Sequence, residues 1–395
     1  MNVNFKKTKL QRRNQTKIDP KPKMLQYPQR KSHVRKQPTI SKSTQFPCAN
    51  STGIGKGRSE TVPTSVHKLR PGDIDIIAAM GDSLIAGSGA MEEWALGNMI
   101  EYRGLSWCIG GEHTWRTYLT LPNILKEFNP NLTGYSTGTG ELLSRHSRLN
   151  VAFPVAADAD ALMQAKALVA RLKKLKLNLN ESWKMITFFF GANDLCSAQC
   201  FNADESSPER HAQKLMIALD YLQKHLPKTF VNLIPVLDVS VSLRVRRSFM
   251  CKLMHRLYCT CFHRGGSNPM YDIPRLARDY QRAEFELVES GRYEKNDFTV
   301  VLQPFIKLFN APADPRKLYD EAIDISYITH DCFHFSQKGH ALAANMLWNN
   351  LLQPVGRKSI NNPGNIMENF QCPSSRAPYL FTKTNSQQYL STGFQ

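Results

Sequence analysis

From Pro71 onward, short apolar runs alternate with longer stretches in which apolar residues recur every three or four positions. Runs of five to seven buried-type residues predict strands at Ile74–Met80, Leu149–Phe153, Lys184–Phe190, Phe230–Val236 and Phe298–Gln303. The stretches between them predict helices at Leu162–Leu175, Glu209–His225, Leu276–Ser290 and His340–Leu352. In the last of these, Ala341, Ala344, Leu347, Trp348 and Leu351 gather on one face, and Pro354 closes the element. Strands that alternate with helices of this length mark βα units around a parallel sheet, so the pattern predicts an α/β domain. Residues 238–272 break the pattern and are expected to form an irregular excursion above the sheet. There is no internal repeat.

Composition sharpens this picture in one direction and charge divides it. The 395 residues are 42% hydrophobic, with 20 Phe, 13 Tyr and 5 Trp, enough apolar surface for a sizeable core. No apolar run approaches the roughly 18–20 residues that cross a bilayer. The net charge of +18 is concentrated. Residues 1–70 hold 17 Lys and Arg against Asp19 and Glu60, whereas residues 71–395 hold 34 basic and 31 acidic side chains. The tail therefore reads as a disordered basic arm, 1–70, either solvated with no specific partner or able to touch a polyanion such as an anionic membrane surface. It lacks the interleaved aromatics of a nucleic-acid groove, so no specific nucleic-acid partner is expected. It also lacks the apolar core of a secretory signal.

Cysteine usage argues for an oxidising compartment all the same. Cys48 lies in the arm, and Cys108, Cys196, Cys200, Cys251, Cys259, Cys261, Cys332 and Cys372 make an even eight in the body. A zinc site on Cys196, Cys200, Cys259 and Cys261 is an alternative, although neither pair has the usual knuckle spacing. Asn131 and Asn180 begin glycosylation sequons, which fits secretion.

Three polar sites fall at predicted strand ends, where α/β folds do their chemistry. Gly81-Asp82-Ser83-Leu84 places a serine at a tight turn and at the start of the next helix. Gly191-Ala192-Asn193-Asp194 offers a neutral amide donor for an acyl oxygen. Asp331-Cys332-Phe333-His334 offers an imidazole with an acid three residues upstream. A hydroxyl needs a base to become a nucleophile, and the base needs an acceptor to fix its tautomer. Each motif alone could be a capped turn; together they predict a serine hydrolase.

These three segments resemble blocks I, III and V of the GDSL, or SGNH, hydrolases. Tyr102-Arg103-Gly104-Leu105-Ser106-Trp107, Leu121-Pro122-Asn123-Ile124-Leu125, Val301-Leu302-Gln303-Pro304-Phe305 and Phe333-His334-Phe335-Ser336 narrow the resemblance to the membrane-associated phospholipase B family, over roughly 71–385. The resemblance implies a flavodoxin-like three-layer α/β/α sandwich with a five-stranded parallel sheet, an arm at 1–70 and a short tail at 386–395. It implies hydrolysis of phospholipid and lysophospholipid acyl esters without a metal or organic cofactor, in an extracellular or membrane-associated setting with peripheral contact to the membrane. Ser83 would be the nucleophile and His334 the base. The fold's spacing favours Asp331 as the acid, whereas the phospholipase B branch favours Asp194. Asn193 and the Ser83 N–H would serve the oxyanion. At the block II position, where the family carries a glycine N–H, this chain has Val155. Valine is poorly suited to glycine-type backbone angles, and losing one oxyanion donor costs about 2.7–4 kcal/mol. Two outcomes therefore stand open: an active hydrolase, or a weak or inactive homologue that binds lipid or protein.

Overall fold

The computed structural model describes residues 35–392 except 176, 245–248, 264–268, 313, 315–316, 318–323 and 362–363. Four strands, β1 (Ile74–Gly81), β2 (Trp183–Phe189), β3 (Thr229–Leu233) and β4 (Phe298–Leu302), pair in that order, all parallel. The helices are α1 (Ser83–Ala86), α2 (Leu121–Leu125), α3 (Ala161–Lys173), α4 (Pro208–His225), α5 (Val241–Arg244), α6 (Phe249–Tyr258), α7 (Pro269–Glu289), α8 (Gln337–Leu351) and α9 (Lys383–Thr392).

Side chains alternate along each strand, so the sheet feeds two cores. On one face Ile77, Ala79, Met185, Phe189 and Val301 pack with Leu84, Trp107 and the α8 residues Leu347 and Trp348. On the other, Ile76, Ala78, Met80, Ile186 and Phe188 pack with Leu168 and Leu172 of α3 and Leu215, Leu219 and Leu222 of α4. Helices thus cover both faces, as the strand pattern required.

The expected fifth strand is corrected to a bridge. Residues 149–153 run beside the free edge of β1, with Ala79 N–H donating to Leu149 O at 3.2 Å, Val151 N–H to Ala79 O at 3.0 Å and Phe153 N–H to Gly81 O at 3.3 Å. Their outward carbonyls go to side chains instead of a further strand: buried Arg103 donates to Asn150 O at 3.2 Å and to Ala152 O at 2.8 Å. Counting this segment, the order is second-first-third-fourth-fifth along the chain. That is the doubly wound order whose ligand crevice opens at the carboxyl end of β1.

Two expected tails are packed against the body. Residues 1–34 lie outside the described residues, but Phe46, Cys48, Val66 and Leu69 are buried in the core. The reason is α8, in which every residue but Lys338 is buried, so its outer face needs a cover. Phe370 stacks on Trp348 with ring centroids 5.9 Å apart, Phe46 meets Phe370 at 5.8 Å, and the Cys48–Cys372 disulfide ties the two covering segments together across 324 positions. In the chain-entropy picture such a closure is worth about 6 kcal/mol. The expected tail at 386–395 is helical through Thr392, with Asn385 and Ser386 buried; 393–395 lie outside the described residues. Within 238–272 the described residues are mostly helical (α5, α6 and the start of α7). Among the described residues no helix is long and apolar enough to cross a membrane.

Candidate active site

Strand β1 ends in a glycine for a steric reason. Gly81 has φ of 152°, and a Cβ there would stand 2.3 Å from Phe189 O of the neighbouring strand. Gln164 of α3 holds its peptide from both ends, accepting from Gly81 N–H and donating to Gly81 O, each at 2.8 Å. Asp82 caps α1 by accepting from Leu84 N–H at 2.9 Å, which puts Ser83 on the first helical residue.

The loop ahead of α8 brings up an imidazole. His334 Nε2 lies 2.7 Å from Ser83 Oγ, and His334 Nδ1 lies 2.6 Å from Asp331 Oδ2. Asp331 is itself fixed: Thr329 hydroxyl, Phe333 N–H (2.9 Å) and His334 N–H (3.0 Å) donate to its Oδ1, and Asn98 Nδ2 donates to Oδ2 at 3.3 Å. Burial alone would raise the Asp331 carboxyl, but the attraction and hydrogen bonds of His334, with Thr329, hold it well below the usual carboxylate range. The same pair works on His334, where burial pulls the imidazole down and Asp331 pulls it up, for a net rise above its ordinary value. A carboxylate on Nδ1 fixes the proton there and leaves Nε2 to accept from Ser83. Asp82 adds a second carboxyl near His334, pushed up to about 6 by burial.

Asn193 and Val155 come together. Asn193 Nδ2 donates to Ala156 O at 2.9 Å, the residue after Val155. Val155 is 74% exposed and has φ of 61°, in the left-handed region that a β-branched residue strongly avoids. The angle that suits a glycine is thus present with a valine in it.

Asp194 lies elsewhere than at His334. Its Oδ2 accepts from Asp158 N–H at 3.0 Å, within a second buried cluster. There His211 Nδ1 is 3.1 Å from Asp158 Oδ2, His211 Nε2 is 3.2 Å from Glu284 Oε1, and Lys214 Nζ donates to Asp158 Oδ1 at 2.8 Å. Burial would lower His211, but the two carboxylates lift it to about 9. Burial and the neighbouring Asp158 push Asp194 up to about 7. Asp158, Asp194 and His211 each place a ligand-type atom within 4.8 Å of the others, but both His211 nitrogens face carboxylates and Asp158 pairs with Lys214. The cluster satisfies itself.

The cysteines read as possible zinc ligands are disulfides, so their sulfurs are not available to a metal. Cys196 pairs with Cys259 and Cys200 with Cys261, stapling the π-helical turn after Asn193 to the segment following α6. Cys251 of α6 pairs with Cys332, which lies between Asp331 and His334 in the chain. Sequence reasoning missed Asn98 and Thr329, which orient Asp331, and the buried partners Asp158, His211 and Glu284. The last two left a trace, since each sits on a largely apolar helical stripe: His211 with Leu215, Ala218 and Leu222, and Glu284 with Ile273, Ala277, Tyr280 and Val288, alongside buried Gln281. Trp107 and His340, by contrast, serve the frame: Trp107 Nε1 donates to Leu84 O at 3.0 Å and its N–H to His340 Nδ1 at 3.3 Å.

Comparison with known proteins identifies the family. The family model GDSL-like Lipase/Acylhydrolase matches residues 77–347. Phospholipase B1, membrane-associated, from Mus musculus is 40% identical over 357 residues, covering 88% of this chain and 23% of the relative. The Homo sapiens protein of the same name is 39% identical over 376 residues, covering 92% and 24%. This chain therefore spans about a quarter of the length of these relatives. Among solved structures, a protein assigned as a GDSL-like lipase from Parabacteroides merdae is 16% identical, covering 70% of this chain and 95% of that one, with a TM-score of 0.38.

Proposed function

We propose that this chain, which belongs to the GDSL-like lipase/acylhydrolase family, is a serine ester hydrolase cleaving acyl esters of phospholipids and lysophospholipids. The observation that carries this reading is the unbroken line from Ser83 Oγ through His334 to Asp331, at 2.7 and 2.6 Å. Ser83 attacks the acyl carbonyl while His334 Nε2 takes its proton; Asp331 is the acid that holds the imidazolium. The proton then passes to the departing alcohol oxygen, leaving an acyl group on Ser83. Water, deprotonated by the same His334, attacks that acyl carbon, and His334 returns the proton to Ser83 Oγ as the acyl–oxygen bond breaks and the fatty acid leaves. Asn193 Nδ2, the Ser83 N–H and the Val155 N–H are the donors for the oxyanion. Asp194 is a positioning residue that ties the Asn193 turn to the 155–158 segment through Asp158 N–H.

The phospholipid class is supported by the phospholipase B1 relatives, which are described as membrane-associated. Four disulfides fit an oxidising, extracellular setting in which the domain makes peripheral contact with a membrane. A panel of phospholipid, lysophospholipid and short-chain esters assayed with wild type and Ser83→Ala tests the reading. Wild type turns over the lipids, and Ser83→Ala loses at least about 10⁴-fold together with labelling by a fluorophosphonate. Equal turnover by the two proteins would dismiss the proposal.

A further inference from the structure

Folding accounts for one face of α6 and leaves the other unexplained. Cys251, Met254 and His255 are buried toward the acid loop, Cys251 bonded to Cys332 and His255 Nε2 3.4 Å from Cys332 O. Tyr258 hydroxyl donates to Asn98 Oδ1 at 3.2 Å, and Asn98 in turn donates to Asp331. The outer stripe, Phe249, Leu253 and Leu257 at four-residue spacing, is 78%, 42% and 64% exposed. A helix at a protein surface normally turns polar residues outward. The adjoining 3-10 segment Ala95–Met99 repeats the arrangement, for Asn98 reaches inward to Asp331 while Trp94, Leu96 and Met99 are 59%, 53% and 78% exposed. Two elements fastened to the acid of the triad thus turn large apolar side chains to solvent, the mark of an interaction surface.

Charge selects the occupant. α6 itself carries Lys252 and Arg256 and no Asp or Glu, and on the neighbouring segment the exposed Glu93 is paired with Lys36 at 3.8 Å. Arg256 stands exposed beside Leu257. Two copies meeting through this face would oppose their own positive charge. An anionic lipid surface would instead attract it, and a basic amphipathic helix with apolar tips is the form that lies at the headgroup boundary. We propose that the outer face of α6 and the 95–99 segment dock on an anionic phospholipid surface, presenting Ser83 to esters within it. The physiological sense of this rests on the hydrolase reading above; the docking itself is read without it.

The test uses the full chain carrying Ser83→Ala, so that vesicles are not consumed, and vesicles of phosphatidylcholine with and without phosphatidylserine. Adding Phe249→Ser, Leu253→Ser and Leu257→Ser together should weaken binding to the phosphatidylserine vesicles by at least about tenfold. In the Ser83 background the same triple change should slow vesicle hydrolysis in parallel and leave turnover of a water-soluble short-chain ester unchanged, which also shows that the variant folds. Vesicle affinity within about twofold of the parent would overturn the proposal. So would equal affinity for both kinds of vesicle, or a dimer that the triple variant loses while vesicle binding is absent from the parent. Vesicle binding by a wild type that turns over no ester would uphold docking and sink the hydrolase reading.

Discussion

Two buried histidines in this molecule have carboxylates for neighbours, and they differ in what faces the second nitrogen. His334 has Asp331 on one side and the Ser83 hydroxyl on the other. His211 has Asp158 on one side and Glu284 on the other. Between a carboxylate and a hydroxyl an imidazole can give up and regain a proton, so it can act as a base. Between two carboxylates the imidazolium is held from both ends and becomes a fixed positive charge, fit for bracing and unfit for proton transfer. Composition alone does not separate these cases.

The sharpest way to break this comparison is to neutralise the two aspartates it distinguishes. Asp331→Asn should lower kcat by about 10⁴-fold, because the imidazole loses both its tautomer and its charge partner. Asp194→Asn, whose carbonyl can still accept from Asp158 N–H, should cost less than about tenfold in kcat. If steady-state assays reverse that order, Asp194 is the acid. Next in size, His211→Phe leaves Asp158 and Glu284 buried without their common partner and should cost about 3–5 kcal/mol in urea unfolding, while the folded fraction keeps its activity.

pH separates the two sites in opposite directions. His334 acts as a base only when neutral, and its value is raised above 6.5, so kcat/KM should climb with pH and reach half its plateau above 6.5. Asp82, pushed to about 6 by burial, ionises before that limb and adds negative charge near His334. His211 is raised from 6.5 to about 9, so its share of stability is complete below 6.5 and is lost as pH rises through about 9. Asp194, raised from 3.8 to about 7, contributes in the same sense, its share being lost as pH rises through about 7. Thermal melts should therefore show Tm falling from pH 6 toward 9, and a flatter slope in His211→Phe. The smallest effect belongs to Val155→Gly, which relieves a left-handed valine and should stabilise by about 1 kcal/mol in the same melts. A loss of stability there would show that the surrounding loop favours valine.

The sequence carried the line of Ser83, His334 and Asp331 and the frame better than the braces. The β1, β2, β3 and β4 runs are legible because strands buried on both faces are continuous apolar stretches. Ser83, Asn193, Asp331 and His334 are legible because each sits in a motif at the end of a run or the start of a strong helix. Residues 149–153 mislead because a strand and a bridged edge have the same composition, and what decides between them is a side chain from Arg103, far off in sequence. The segment 35–70 misleads because its charge hides four widely spaced anchors, Phe46, Cys48, Val66 and Leu69, whose partners lie about three hundred positions away or deep in the core. The buried brace of His211 is scattered over a turn and two helices, and only its misplaced polarity on apolar stripes betrays it.

Cys108 is the one cysteine outside the four disulfides, and it is fully buried, with its thiol pushed well up by burial. Exchange between sulfurs begins with a thiolate, so a ninth cysteine held protonated and out of reach does not scramble the other eight. The same seclusion makes it a native gauge of opening. A bulky thiol reagent added without reductant should mark Cys108 only as fast as the core around it breathes.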